Sequence, residues 1–569
     1  MGAQMGKPLR KSARSGTLAN ASAAHIDDAP LSKESARPPA RHALRRIPDA
    51  PADPASACAS KPAAGDRQPV HAPPSAREVR TIYWALMVVI GLGTLDQSIV
   101  ATALPRIMSD LGDIAKSSWI VTAYVLSSTT SMPLYGKLSD QFGRKRMILI
   151  AVAVFLVGSL LCGLSRSLTE LIAARVVQGL GAGAFLPLSQ AIIADLIPPA
   201  QRGHKQGGIA AVFAATSVMG PLLGGVITDA LSWHWIFLLN LPVGGAALYN
   251  IVRKLRPGRP GGAQRIDYLG SLLMTAAVTA FLLVLSLGGS AWPWHSPQVY
   301  GSAGAGLVLT AALLAHLRRT AAPILPPTLF DNTVFNIACI VMSLTFMGLF
   351  GATLFLPLFS QLVSGTGATE SGLLMVPLML GAVISSVMGG RILARIGRYK
   401  PTQVAGLSTA IVAFALLAWS ISARLSYWFI EPCVFMLGIG LGLVMPNMTV
   451  AVQNALPVAQ RGVGTAMLTF FRSLGGLVGI AGSSAIIASQ LPATEAAART
   501  ALAGHHLSGS LHQAAGGLAD IYRSSIAETF AVGSAIVALA LVVLLRLPEL
   551  ALVDRDDAPP DAQGVPAHD

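Results

Sequence analysis

The sequence predicts an all-α integral membrane protein: two pseudo-symmetric six-helix bundles with a two-helix insert between them. Three observations predict it. First, 53% of the 569 residues are hydrophobic and only 12% are charged, and the mean hydropathy of +0.59 is too high for an ordinary soluble multidomain protein. Second, apolar runs near or above the ~20 residues that cross a bilayer recur from Thr81 to Leu547, about fourteen of them. Third, the chain repeats itself. GKLSDQFGRKR at Gly136–Arg146 returns as GRILARIGRYK at Gly390–Lys400, and PPAQRG at Pro198–Gly203 returns as PVAQRG at Pro457–Gly462, an offset of 259 residues from Arg202 to Arg461.

Residues 1–78, rich in Ala, Pro, Ser and Arg, hold no apolar run of signal-peptide length and are expected to be a disordered cytoplasmic tail. The first six spans are expected at about Ile82–Leu104, Trp119–Leu138, Met147–Leu164, Leu168–Leu196, Gly207–Ala230 and Trp233–Val252, which defines an N-terminal bundle over 79–258. The basic connector RKLRPGRPGGAQR then breaks the helical pattern. An insert over 259–332 carries two spans, about Tyr268–Leu287 and Tyr300–Leu317, joined by a loop whose Trp292-Pro293-Trp294 would sit at headgroup level. Six more spans, about Phe335–Val363, Ser371–Ala394, Thr402–Ser422, Tyr427–Ala455, Val463–Ala488 and Glu528–Leu547, make a C-terminal bundle over 333–549. A long polar outer loop, Ser489–Ala527, separates the last two, and 550–569 is a second cytoplasmic tail.

The net charge of +14 belongs to topology rather than to a nucleic-acid surface. Arg144, Lys145 and Arg146, then Arg202 and Lys205, then Arg391, Arg395, Arg398 and Lys400 fall in loops on one side, while Gly288–Tyr300 and Ser364–Glu370 have no Lys or Arg. The positive-inside bias puts the basic loops, and with an even number of spans both termini, in the cytoplasm. Cys58, Cys162, Cys339 and Cys433 are scattered without CxxC spacing and read as small apolar packers, so neither a metal nor a disulfide framework is expected. His505 and His506 likewise read as exposed residues. No HExxH, GxxxxGK[ST] or GxSxG is present, so the chain is not expected to be an enzyme, needs no cofactor, and any uphill transport would draw on an ion gradient. Gly179, Gly181 and Gly183 lie inside a span and read as helix-packing positions rather than a dinucleotide loop.

Six motifs in order carry a family resemblance: LDQSIVATALP at Leu95–Pro105, GKLSDQFGRKR, LIAARVVQGLGAG at Leu171–Gly183, GPLLGG at Gly220–Gly225, WHWIFLLNLP at Trp233–Pro242 and FFRSLGGLVG at Phe470–Gly479. Over roughly residues 80–550 the chain resembles the major facilitator superfamily, and within it the 14-span drug:proton antiporters. That resemblance implies the major facilitator fold, with a central cavity between two halves that alternates access.

Asp96 lies inside the first span, about eight residues or roughly 12 Å below its outer end, and Arg175 lies at a matching depth in the fourth. A carboxylate in hydrocarbon is costly unless paired or hydrated, which suits a site that loads and releases a proton; a satisfied structural hydrogen bond is the alternative. The resemblance implies proton coupling by Asp96 and Arg175, the latter in an R-x-x-Q-G pattern with Gln178 and Gly179. It also implies a cytoplasmic latch of Gly136, Asp140, Gly143, Arg144, Asp195 and Arg202. Asp140 would cap a helix of the other half near Gly462, and Arg144 and Arg202 would share a charge network with Asp195. Both Asp140 and Arg144 are expected in the loop between the second and third spans. In the second copy Ala394 takes the acidic place, so the latch would be one-sided.

Gly220, Pro221, Gly224 and Gly225 resemble the antiporter signature, a helix kink with a small-residue face, and argue for export. Two departures are Thr216, where a smaller residue is usual, and His234 between Trp233 and Trp235, where arginine is usual. Arg472 in the thirteenth span corresponds by the repeat offset to Phe213 in the first half, so it is no echo of the duplication; anchoring and cavity function are both open for it. Glu431, near the outer end of the twelfth span, is a weaker candidate for cation binding or a second proton site. Phe346–Phe359 and Met375–Met388 are candidates to line an adaptable apolar cavity.

The expected activity is proton-driven export of a small amphipathic compound or drug across a bacterial cytoplasmic (inner) membrane. Its partners would be protons, the lipid bilayer and the cargo, with a periplasmic adaptor and outer-membrane channel left open and nucleic acid excluded. A dedicated exporter of an endogenous metabolite, or a membrane sensor without flux, are the alternatives.

Overall fold

A computed structural model describes residues 75–111, 118–257, 267–288, 292–320, 323–363, 373–503 and 507–549. Most of the expected tails, 1–74 and 550–569, and His505 and His506 lie outside them. The architecture is all-helical, and 13 helices among the described residues are long and apolar enough to cross a membrane. The expected fourteenth, the second span, is present as α2 (Ser118–Phe142), a 25-residue helix. It falls short in apolarity because Ser127, Ser128, Thr129, Thr130 and Ser131 run through its middle, all buried against protein.

The first half comprises α1 (Ala76–Leu111), α2, α3 (Arg144–Leu164), α4 (Leu168–Ala182), α5 (Phe185–Leu196), α6 (Pro199–Ala230), α7 (His234–Leu238) and α8 (Asn240–Lys254). Two expected spans are therefore broken. The fourth divides into α4 and α5 at Gly183-Ala184, where three alternate glycines weaken the helix and a Cβ on Gly183 would lie 2.2 Å from the Ser128 carbonyl. The sixth divides into α7 and α8 because Pro242 cannot donate back to Leu238, so the chain restarts its helix at Asn240. The first span starts earlier than its apolar run, at Ala76, where Ser75 and Glu78 bond reciprocally as a capping box.

The insert is a hairpin of α9 (Tyr268–Leu287) and α10 (Pro297–Leu317). Asp267 ties it down, accepting the N–H of Gly270 at 2.7 Å as an N-cap, that of Ile324 at 3.2 Å and the His316 ring at 2.7 Å.

The second half comprises α11 (Thr333–Val363), α12 (Met375–Ile396), α13 (Lys400–Ser422), α14 (Tyr427–Ala455), α15 (Arg461–Ala503) and α16 (Leu507–Leu545). Here the expected polar loop Ser489–Ala527 is wrong: α15 continues to Ala503 and α16 begins at Leu507. The alanine-rich stretch favours helix once the flanking spans have nucleated it, so low hydropathy there marks the end of the apolar span and not of the helix.

Each half packs its own core. Tyr124, Phe155, Phe185 and Ile251 centre one, with Trp233 and Phe237 closing a second cluster beside it; Phe335, Tyr399, Phe414 and Phe530 centre that of the second half. Lipid offers no hydrophobic drive between helices, so close backbone approach carries the packing. Thus Gly475 and Gly479 of α15 abut the carbonyls of Ser343 and Met347 of α11, which a Cβ would approach to 2.1 and 2.0 Å. Across the halves α6 packs on α12 and α2 on α15.

Candidate functional site

Three features define the site: a buried ion pair within the first half, a cavity lined by residues of both halves, and a contact between the halves at the end of the bundle bearing Arg144, Arg202 and Arg461, called here the basic end.

Asp96, on α1, and Arg175, on α4, are brought together. Asp96 is 3% exposed and Arg175 1%. Arg175 Nη1 donates to Asp96 Oδ2 at 2.5 Å and to Gln178 Oε1 at 2.6 Å, while its Nε donates to the Ile120 carbonyl at 3.3 Å. The other oxygen, Asp96 Oδ1, accepts from Gln178 Nε2 at 2.8 Å and Asn240 Nδ2 at 3.1 Å. Gln178 and Asn240 also both reach Ser159 Oγ, at 2.9 and 3.3 Å. The R-x-x-Q spacing produces this directly, since residues three apart on α4 share a face. A buried carboxylate is tolerable only with its lone pairs met by charge-assisted donors, and Asp96 has three.

Tyr124 of α2 closes the site on one side. Its ring lies 4.1 Å from the Arg175 guanidinium carbon, and its hydroxyl donates to the Gly93 carbonyl at 3.1 Å. Asn240, Ser159 and Tyr124 were missed by sequence reasoning. The signal for Asn240 was its isolation in Leu238-Leu239-Asn240-Leu241, a lone amide in an apolar run placed at the helix restart; the other two resemble ordinary span residues.

The cavity has two lobes, of about 330 and about 260 Å³, sharing Phe213, Phe350 and Arg472. The first is lined by Met342 and Phe346 of α11 and Leu378 and Met379 of α12, the second by Gly93, Thr94 and Gln97 of α1 and Tyr124. Asp96 and Arg175 are not on its wall; Tyr124 stands between them and the second lobe. Of the aromatic and methionine residues expected to line it, Phe355 and Phe359 are instead buried in the core of the second half, because that stretch of α11 turns toward its own bundle. Gln178 likewise belongs to the ion-pair cluster and not to the cavity wall. Glu431, half-buried near the start of α14, is not among the cavity-lining residues.

At the basic end, Asp140 Oδ1 accepts the Gly462 N–H at 3.0 Å and Oδ2 the Val463 N–H at 2.8 Å, at the N-terminus of α15. Those N–H groups have no partner within their own helix, and the helix dipole favours an anion there. Asp140 is not in a loop, as expected from the sequence, but in the last turn of α2, and Arg144 opens α3. The apolar span ends at Leu138, yet the helix runs four residues on, and only Gly143, at φ 89°, turns the chain. Arg144 bridges Asp140 at 3.5 Å and also pairs with Asp195. Arg202 is buried and donates to the carbonyls of Ala194 at 2.6 Å and Ile197 at 2.8 Å. A Cβ on Gly136 would come within 2.5 Å of the Ala466 Cβ, so this contact requires glycine.

In α6, Gly220 and Gly224 face Ser98 and Ile99 of α1, whereas Gly225 has nothing within 4 Å of its missing Cβ. Pro221 sits within the helix, and Thr216 bonds Thr94 across the same seam at 3.0 Å. Trp233 is buried, with its ring N–H 3.1 Å from Asp110, and His234 stacks on it.

Residues 86–480 match the Major Facilitator Superfamily, and the chain belongs to that family of transporters. It is 37% identical over 395 residues to the multidrug transporter protein MdtP of Bacillus subtilis, covering 69% of this chain and 73% of that protein. It is 35% identical over 413 residues to multidrug resistance protein 3 of the same species, covering 71% and 79%. Among solved structures, that of the human organic anion transporter MFSD10 superposes with a TM-score of 0.57 at 14% identity, over 82% of this chain and 99% of that one, a likeness of fold.

Proposed function

We propose that this chain is a proton-coupled antiporter that exports amphipathic organic compounds across a bacterial cytoplasmic membrane, its basic end in the cytoplasm. The observation that carries the reading is the placement of Asp96: an ionisable group held by Arg175, Gln178 and Asn240, one side chain behind the cavity wall. The efflux relatives support the cargo class.

In the proposed cycle the Asp140 contact holds the cytoplasmic side shut while the cavity serves the outside. A proton arriving past Tyr124 neutralises Asp96, and the charge that bound Arg175 disappears. α1 and α4 are then free to move apart, which carries the proton inward as the halves rock. Arg175 and Gln178 reclaim the carboxylate after the proton leaves, resetting the pair.

The test is transport in proteoliposomes with an imposed pH gradient, using a panel of dyes and comparing the wild type with Asp96→Asn. Gradient-driven dye flux in the wild type that is lost in the variant supports the proposal. Dye flux indifferent to the gradient makes the protein a facilitator.

A further inference from the structure

The cavity presents positive charge and no negative charge. Among the described residues that line its two lobes, Arg472 is the one ionised side chain, and it lines both. Its guanidinium carbon lies 5.1 Å from the Phe346 ring centroid, and among the described residues it has no carboxylate partner and no hydrogen bond. Arg175 is different, for it is neutralised by Asp96 and sits outside the cavity.

A second donor faces the same lobe. Gln206, 3% exposed, receives Gln190 Nε2 on its Oε1 at 3.3 Å and, among the described residues, has no partner for its Nε2. The remaining wall of that lobe is mostly apolar and aromatic, interrupted by the uncharged Gln190, Ser217, Ser386, Thr449 and Thr469, with Met342, Phe346 and Phe350 closest in kind to what accommodates a ring system.

An arginine in a low-dielectric cavity without a counter-charge is costly, and an anion that enters relieves the cost. Its planar fork matches a carboxylate or sulfonate in two-point contact. A cationic cargo would meet repulsion and no compensating carboxylate.

We propose that the cavity selects amphipathic organic anions, molecules with an aromatic or aliphatic body and one carboxylate, sulfonate or phenolate group, and that Arg472 is the counter-charge that binds them. The proposal rests on reading this cavity as the cargo site, and it deepens the export function by naming the class of cargo.

The test is equilibrium binding to the full-length protein in nanodiscs, with empty nanodiscs subtracted and no pH gradient. Three probes are used: 8-anilino-1-naphthalenesulfonate, its uncharged parent N-phenyl-1-naphthylamine, and the cation ethidium. The wild type is expected to favour the sulfonate over both. Arg472→Gln is expected to weaken the sulfonate on the order of tenfold or more, leaving the uncharged parent unchanged, with Arg472→Lys in between. Retained binding of the uncharged parent also reports that the variant is folded. The wild-type preference needs no variant at all. A wild type that prefers ethidium, a sulfonate affinity untouched by Arg472→Gln, or equal losses for charged and uncharged probes in both variants would overturn the assignment, the last making Arg472 a scaffold residue. Because no gradient is imposed, this result is independent of whether Asp96 couples protons.

Discussion

Asp140 accepts the backbone N–H of Gly462 at 3.0 Å, joining residues 322 positions apart in the sequence through the first free donors of α15. The bond crosses between the halves, so any rocking motion that opens the basic end must break it. Asp140→Asn keeps the size but offers one oxygen where two N–H groups need acceptors, and it removes the charge that pairs with Arg144. The population closed at the basic end should fall on the order of tenfold. Spin-label distances between the basic ends of α2 and α15 should broaden toward longer values.

Gly462→Ala should act in the same direction for a steric reason. The added Cβ would lie 2.3 Å from Asp140 Oδ1, closer than any ordinary contact, and the bonding atoms are the ones displaced. The effect should shrink in an Asp140→Ala background, where only Ser139 Oγ, 2.7 Å from the added Cβ, remains to be displaced, and a double-mutant cycle in the same distance measurement reads this coupling.

Asn240→Ala and Gln178→Ala each remove one donor from Asp96 Oδ1, and Gln178→Ala also frees Arg175 Nη1 from one acceptor. Each should cost about 1–3 kcal/mol of folded stability, the loss at Gln178 being the larger. Thermal unfolding in detergent measures that cost. Transport against a pH gradient should slow in both without loss of cargo binding.

The helices and the duplication were legible because hydropathy and repeated turns report on lipid and topology. So was the pairing of Asp96 with Arg175, since depth along two apolar spans is a count of residues and a buried charge must be compensated. What was hidden depends on three-dimensional packing. Asn240 reaches Asp96 only because Pro242 forces a helix restart. Tyr124 earns its place through its position over Arg175. The helical stretch in Ser489–Ala527 was lost because the sequence was divided by apolarity, which measures the lipid span and not the helix. Phe355 and Phe359 were expected in the cavity on composition, but facing is set by helix rotation, which composition does not encode.

If the cargo is an anion, each cycle moves one negative charge out as a proton enters. Two positive charges then travel inward, so a negative-inside potential adds about 2.3 kcal/mol per charge per 100 mV to the drive. A potassium diffusion potential imposed on proteoliposomes at equal pH should by itself accelerate export of the sulfonate dye, and export of its uncharged parent less so. Equal acceleration of both dyes would count against the anionic cargo.

The most direct measurement is proton movement itself. With a pH-sensitive dye trapped in proteoliposomes, adding cargo to the wild type should release a burst of proton flux, and Asp96→Asn should abolish it while still binding cargo. Undiminished cargo-driven proton flux in Asp96→Asn would contradict the assignment of Asp96 as the proton site.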